Sequence, residues 1–164
     1  MRIHGSLRLG SGLRARLGFA AAVVVAFSLA ACGSMNVVSE GADADLMLRG
    51  NDPVAYFTAG RPQPGRSDIK AEHRGLTYRF ANGENRRQFI TNPEQYVPQF
   101  GGFCAYGVSI NKLLPIDITT AQVRDGKLYF NLNPAVRVKF DADFAGNVAK
   151  ATANWPGLVA KSLN

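Results

Sequence analysis

The chain has 164 residues, with 19 Lys and Arg against 12 Asp and Glu and a formal net charge of +7. That balance suggests a small basic protein that holds nucleic acid, but Arg2, Arg8, Arg14 and Arg16 all precede the first acidic residue, Glu40. The other 15 basic residues are interleaved with the 12 acidic ones, whereas phosphate neutralisation needs a concentrated cationic surface, so no nucleic-acid partner is expected.

The four arginines lead into an apolar run from Leu17 to Ala31. A basic start, an apolar stretch and small residues at its end make a secretory signal, too short to stay in a bilayer as a spanning helix. Residues 1–31 are therefore expected to be a signal peptide. Its last residues, Leu29-Ala30-Ala31, run into Cys32 and resemble the lipobox of bacterial lipoproteins. The resemblance implies cleavage before Cys32, lipidation of Cys32 and a membrane partner reached through that N-terminal lipid. An ordinary signal cleaved after Ala31 is the alternative. Arg14 and Arg16 are separated by Ala15, so no twin-arginine pair is present. Gly33 stands where Asp commonly retains Gram-negative lipoproteins at the inner membrane, which implies the periplasmic face of the outer membrane.

Gly33 to Asp45 is small and polar without apolar periodicity, which predicts a flexible tether over residues 32–45 and one domain over residues 46–164. Within that domain, Asn51-Asp52-Pro53 before Val54-Ala55-Tyr56-Phe57 predicts a capped helical turn, with Asp52 accepting from free backbone N–H groups. Ile69–His73 and Leu76–Phe80 flank Arg74-Gly75, and Leu76, Tyr78 and Phe80 alternate with Thr77 and Arg79, the pattern of a β-hairpin. Asn82 opens a short helix that ends near Asn92-Pro93, where a second turn, Glu94-Gln95-Tyr96, begins. Arg86 and Arg87 read as its solvated face. Ala121–Arg124 and Lys127–Leu132 flank Asp125-Gly126, the strongest short hairpin signal in the chain. From Pro134 the pattern is helical, with Val136, Phe140, Phe144, Val148 and Ala151 forming a stripe toward Trp155-Pro156, and Trp155 is expected to close these helices over the hairpins. The fold class is α+β, a small single domain with two β-hairpins and several short helices.

Two cysteines and two histidines limit the chemistry. With Cys32 used for lipid, Cys104 has no disulfide partner, and His73 is the only histidine after the signal. Closed zinc sites of four Cys or of two Cys and two His cannot be built, nor can a three-His catalytic site. No Gly-x-Ser-x-Gly elbow and no phosphate-binding Gly-x-x-x-x-Gly-Lys loop is present.

Asn51-Asp52-Pro53-Val54-Ala55-Tyr56-Phe57, Tyr78-Arg79-Phe80-Ala81-Asn82 running to Phe89, and Asn92-Pro93-Glu94-Gln95-Tyr96 together resemble the YHS domain. Gly101-Gly102-Phe103-Cys104-Ala105-Tyr106-Gly107, Asp125–Asn133 and Asn154-Trp155-Pro156 resemble its exported bacterial branch, the YHS domain-containing (seleno)proteins. The resemblance spans roughly residues 46–158. It implies a YHS-like fold and, for many members, metal binding through cysteines. Here Ala55 occupies the first such position and Ala81–Asn85 contains no cysteine, so the soft-metal thiolates are missing. The branch also contains members resembled here that carry selenocysteine at the position of Cys104, which implies chalcogen redox chemistry.

Cys104 is accordingly the candidate redox or ligand residue. Gly101-Gly102 and a helix start at Cys104 would aim backbone N–H groups at the sulfur and favour thiolate. The structural alternative is a small buried hydrophobe beneath Phe100, Phe103 and Tyr106. His73, Asp52 and Tyr106 are weaker candidates: His73 as a base or ligand beside Cys104 or as an exposed histidine at the hairpin turn, Asp52 as a site residue or a helix cap. Tyr56, Phe57, Tyr78, Phe80, Phe89 and Tyr96 read as core. The expected function is a lipid-anchored cell-envelope binding or accessory module for a small ligand, a metal or an envelope protein, with copper or zinc held substoichiometrically at most. The alternative is a thiol-dependent oxidoreductase with Cys104 as nucleophile.

Overall fold

A computed structural model describes residues 36–40 and 42–162. The expected signal peptide and Cys32 lie outside the described residues. The chain folds as an α+β domain with two small sheets and six α-helices among the described residues. Strands β1 (Val37–Glu40), β2 (Asp43–Met47), β3 (Arg66–His73) and β4 (Leu76–Phe80) form a sheet in the order β1-β2-β4-β3. Within it β2 runs parallel to β4, with Leu46 opposite Thr77, and the other pairs are antiparallel. Strands β5 (Asp117–Arg124) and β6 (Lys127–Asn131) form a separate antiparallel hairpin.

The first sheet corrects the tether expected at residues 32–45. Val37 pairs with Met47, and Val38 with Leu46, so the described part of that stretch, Val37–Glu40 and Asp43 onward, is a strand pair continuous with the domain. Asp43 made this stretch look solvated, yet it is 4% exposed. Its charge is answered from other strands. Arg79 Nε donates to Asp43 Oδ2 at 2.7 Å and Lys70 Nζ donates to Oδ1. These hydrogen bonds, from Lys70 and then Arg79, hold the Asp43 carboxyl below the usual carboxylate range.

Both expected hairpins form, and their turns explain why. Arg74 and Gly75 take φ of 53° and 76°, and Asp125 and Gly126 take 51° and 69°. Two successive left-handed residues are the geometry that matches strand twist in a two-residue loop. Gly65, before β3, is needed for another reason: a Cβ there would stand 2.5 Å from the backbone carbonyl carbon of Arg79.

Six helices complete the fold: α1 (Ala55–Thr58), α2 (Gly83–Thr91), α3 (Pro93–Tyr96), α4 (Ala105–Ser109), α5 (Pro134–Ala142) and α6 (Phe144–Ser162). Asn82 caps α2 by accepting from Asn85 N–H at 2.8 Å, and Asn133 caps α5 by accepting from Val136 N–H at 2.9 Å. Helix α6 runs through Trp155-Pro156 to Ser162. Pro156 is exposed there and forgoes one backbone N–H bond without breaking the helix. Trp155 packs on Phe100 and Phe103, at ring distances of 6.1 and 6.4 Å, and so closes the loop before α4, not the hairpins.

The main core cluster includes Leu48, Val54, Tyr56, Tyr78, Phe80, Phe89, Cys104, Leu128 and Phe130. Phe80, Phe89, Phe130 and Phe140 are 0–1% exposed, and burial of such a side chain contributes about 1.5–3 kcal/mol. Parallel bridges from Pro98 to Leu128 and from Cys104 to Phe130 fasten the segment before α4 to β6. The core thereby joins the two sheets.

Candidate functional site

Cys104 is fully buried and stands at the N-cap of α4. Its sulfur accepts from Gly107 N–H at 3.3 Å and faces Asn131 Oδ1 at 3.8 Å, to which the thiol donates. Asn131 is itself 0% exposed; its Oδ1 also accepts from Tyr106 N–H, at 3.3 Å. Two donors converging on Oδ1 set the orientation of the amide and leave Nδ2 without a partner.

The thiolate expected at this helix start is corrected by the burial around it. Desolvation pushes the thiol pKa up, and the backbone N–H groups of Gly107, Leu132 and Tyr106 offset that only in part. Gly101 and Gly102 do not supply the donors. With Phe100 they form a run of positive φ (52°, 59° and 77°), and their carbonyls accept from Asn36 N–H and Nδ2 at 2.9 and 3.0 Å.

The structure does not bring His73 to Cys104. His73 Nε2–H donates to Glu94 Oε1 at 2.9 Å, an oxygen shared with Arg74 at 2.8 Å, and the ring stands edge-on to Phe89. Among the described residues no three His, Cys, Asp or Glu side chains converge as metal ligands. The weaker candidate His73 is therefore engaged with Glu94 and not with Cys104.

Asp52 is a cap and something more. Its Oδ1 accepts from Val54 N–H (2.8 Å) and Ala55 N–H (3.3 Å), as the turn pattern predicts. Its Oδ2 accepts from Ala81 N–H (2.8 Å) and Asn85 Nδ2 (2.6 Å), which staples α1 to the start of α2. All four bonds are made at 0% exposure, so Asp52 has a structural role. Tyr106 is half-buried and acts through its backbone, accepting from Ser109 Oγ at 2.7 Å while its N–H reaches Asn131.

Besides Asn131 Nδ2, the buried side-chain donors without partners among the described residues lie elsewhere. A cavity of about 450 Å³ opens between α1, β5 and α5, lined by Tyr56, Gln122, Arg124, Arg137 and Asp141 among others, a size typical of small-molecule sites. Tyr56 is 3% and Gln122 is 8% exposed, yet Tyr56 Oη and Gln122 Nε2 have no hydrogen-bond partner. A buried polar group left so costs about 1–3 kcal/mol. Burial, and secondarily the Asp52 charge, raises the Tyr56 pKa well above the ordinary phenol range, so Oη keeps its proton as a donor.

The charged wall of this cleft is built by local periodicity. Arg137 and Asp141 are four apart on α5 and share a face, with Arg137 Nε 3.5 Å from Asp141 Oδ2. Gln122 and Arg124 are two apart on β5 and share a strand face. Arg124 Nη1 lies 3.7 Å from Asp141 Oδ1, and its guanidinium stacks 3.8 Å over the Phe144 ring. Arg137 Nη1 also donates to Ala121 C=O at 3.4 Å.

None of Gln122, Arg124, Arg137 and Asp141 was a sequence candidate, and Tyr56 was assigned to the core. The available signals were weak: a glutamine and an arginine on one face of a strand, and an i, i+4 ion pair on a helix. Comparisons with known protein families, with curated proteins and with solved structures find no match to this chain.

Proposed function

We propose that this protein is a lipid-anchored binding module of the cell envelope that holds a small ligand in the cleft between α1, β5 and α5. The observation that carries this reading is the pair of buried donors, Tyr56 Oη and Gln122 Nε2, which have no partners and belong to two residues that line one cavity. Buried polar groups are ordinarily paired. Two orphans lining one cavity of ligand size form an arrangement that a bound molecule would complete.

The anchoring half of the proposal rests on the basic, apolar and small-residue order before Cys32. The correction at β1 alters its geometry. The domain body is already engaged at Asn36, through its bonds to Gly101 and Gly102. Four residues beyond Cys32 extend at most about 14 Å, so an acylated Cys32 holds the domain close to the bilayer surface instead of on a long leash.

Native mass spectrometry of the protein extracted in mild detergent tests both halves. The expected spectrum has an acylated Cys32 as the first residue and a retained small molecule that is lost from the Tyr56→Phe, Gln122→Leu double variant. An unmodified Cys32 overturns the anchor. A bare protein mass under conditions that keep it folded overturns the binding reading.

A further inference from the structure

We infer that the cleft takes a small oxyanion, a carboxylate- or phosphate-bearing molecule held by Arg124 and Arg137 with Tyr56 Oη–H and Gln122 Nε2–H as neutral donors. This rests on the binding reading above and names the ligand's chemistry. The side chains of the wall are mostly donors. A phenol O–H, an amide NH2 and two guanidiniums line the cavity, against one carboxylate, Asp141.

The charge count points the same way. Two guanidiniums and one carboxylate leave the lining with one positive charge in excess, and the Asp52 carboxylate, whose charge also reaches Tyr56, stands outside the lining with both oxygens already accepting from four donors. Asp141 does not consume the arginines, because its contacts of 3.5 and 3.7 Å are longer than the roughly 2.7–2.9 Å of a tight charge-assisted bond. It stands between them and offsets their mutual repulsion. Stacking on Phe144 uses the face of the Arg124 guanidinium and leaves its in-plane N–H donors for a fork-like grip on an oxyanion.

A cationic ligand would meet two arginines and one acceptor already flanked by both. A neutral polar ligand leaves the one excess positive charge of the lining unanswered. The 450 Å³ cavity equals about 15 water volumes, which suits a small metabolite or a headgroup fragment and not a polymer. The buried donors lie inside and the arginines, with side chains 44% and 39% exposed, stand toward solvent. An anion can therefore be captured at the arginines, above the buried Tyr56 and Gln122 donors.

The test follows the Gln122 side-chain amide by ¹H–¹⁵N NMR on the full mature chain in detergent micelles, at constant ionic strength set with chloride. Four probes are added separately to about 10 mM, tenfold above a Kd of about 1 mM: inorganic phosphate, malonate, tetramethylammonium and glucose. The expected result is a saturable shift of the Gln122 signal with phosphate or malonate, and the better of the two tells a phosphoryl ligand from a carboxylate one. Arg137→Gln and Arg124→Gln should each weaken that binding at least tenfold while leaving the remaining spectrum folded, and Arg137→Lys should restore only part of it. Saturation by tetramethylammonium or glucose alone overturns the oxyanion inference and leaves the binding reading standing. No saturable shift with any probe overturns the inference too, and the co-purified mass described above then decides the binding reading separately.

Discussion

Cys104 and Tyr56 belong to the same core cluster and are both almost fully buried, yet their polar atoms meet opposite fates. The Cys104 sulfur is enclosed, accepts from Gly107 N–H and donates toward Asn131. The Tyr56 hydroxyl and its neighbour in the cleft, the Gln122 amide, are buried without partners beside a cavity. The sulfur that sequence chemistry made prominent is thus internally completed, whereas Tyr56 and Gln122, which the sequence marks for no chemistry, carry unmet donors beside a cavity. A reactive residue type marks a site only where its environment leaves chemistry undone.

The largest effect is expected where satisfaction is most complete. Asp52→Ala removes an acceptor from four donors at the junction of α1, β4 and α2, and urea unfolding should show a loss of about 3–4 kcal/mol. Asp52→Asn should recover little, because its NH2 would face donors from Ala81 and Asn85. A loss below about 1 kcal/mol would mean that the four bonds do not act as a unit.

Cys104 is expected to resist alkylation in the folded protein by at least about 100-fold relative to an unhindered thiol at pH 8, with reaction following unfolding. Rapid modification of the folded chain, with a midpoint well below the ordinary thiol value of about 8.5, would reverse the comparison and make Cys104 the open site.

A smaller effect should appear in acid. The Asp43 carboxyl is held below its unfolded-state value by Lys70 and Arg79. Its contribution to stability is therefore fully present above pH of about 4 and is lost as pH falls through the lower folded-state value. Asp43→Asn should flatten the acid limb of a stability-against-pH profile. An unchanged limb would show that the contacts of Asp43 with Lys70 and Arg79 do not couple to protonation.

The smallest change has the most informative sign. Tyr56→Phe removes an unpartnered hydroxyl, so the ligand-free protein should gain about 1 kcal/mol in stability. Destabilisation of that size would instead indicate that the hydroxyl is already satisfied, and would close the gap between the two regions.

Local chemistry was legible along the chain. Arg74-Gly75 and Asp125-Gly126 mark hairpin turns, and Asn82 and Asp52 mark helix starts, because turns and caps are decided by residues two to four positions apart. Cys104 at the start of a helix was legible for the same reason, but its protonation was not, since burial is a property of everything packed around it. Residues 36–45 misled because a strand is judged by its partners, and Asp43 finds Lys70 and Arg79 only 27 and 36 positions later. The cleft lies furthest from any local signal. Tyr56, Gln122 and Arg137 come from a helix, a strand and another helix that share no sequence neighbourhood.

The sequence by itself determined the α+β class, the two hairpins and the helix starts, through turn geometry and capping that act within a few residues. Only the tertiary structure decided which polar groups are completed and which are left waiting, because hydrogen-bond satisfaction and desolvation depend on groups brought together from distant parts of the chain.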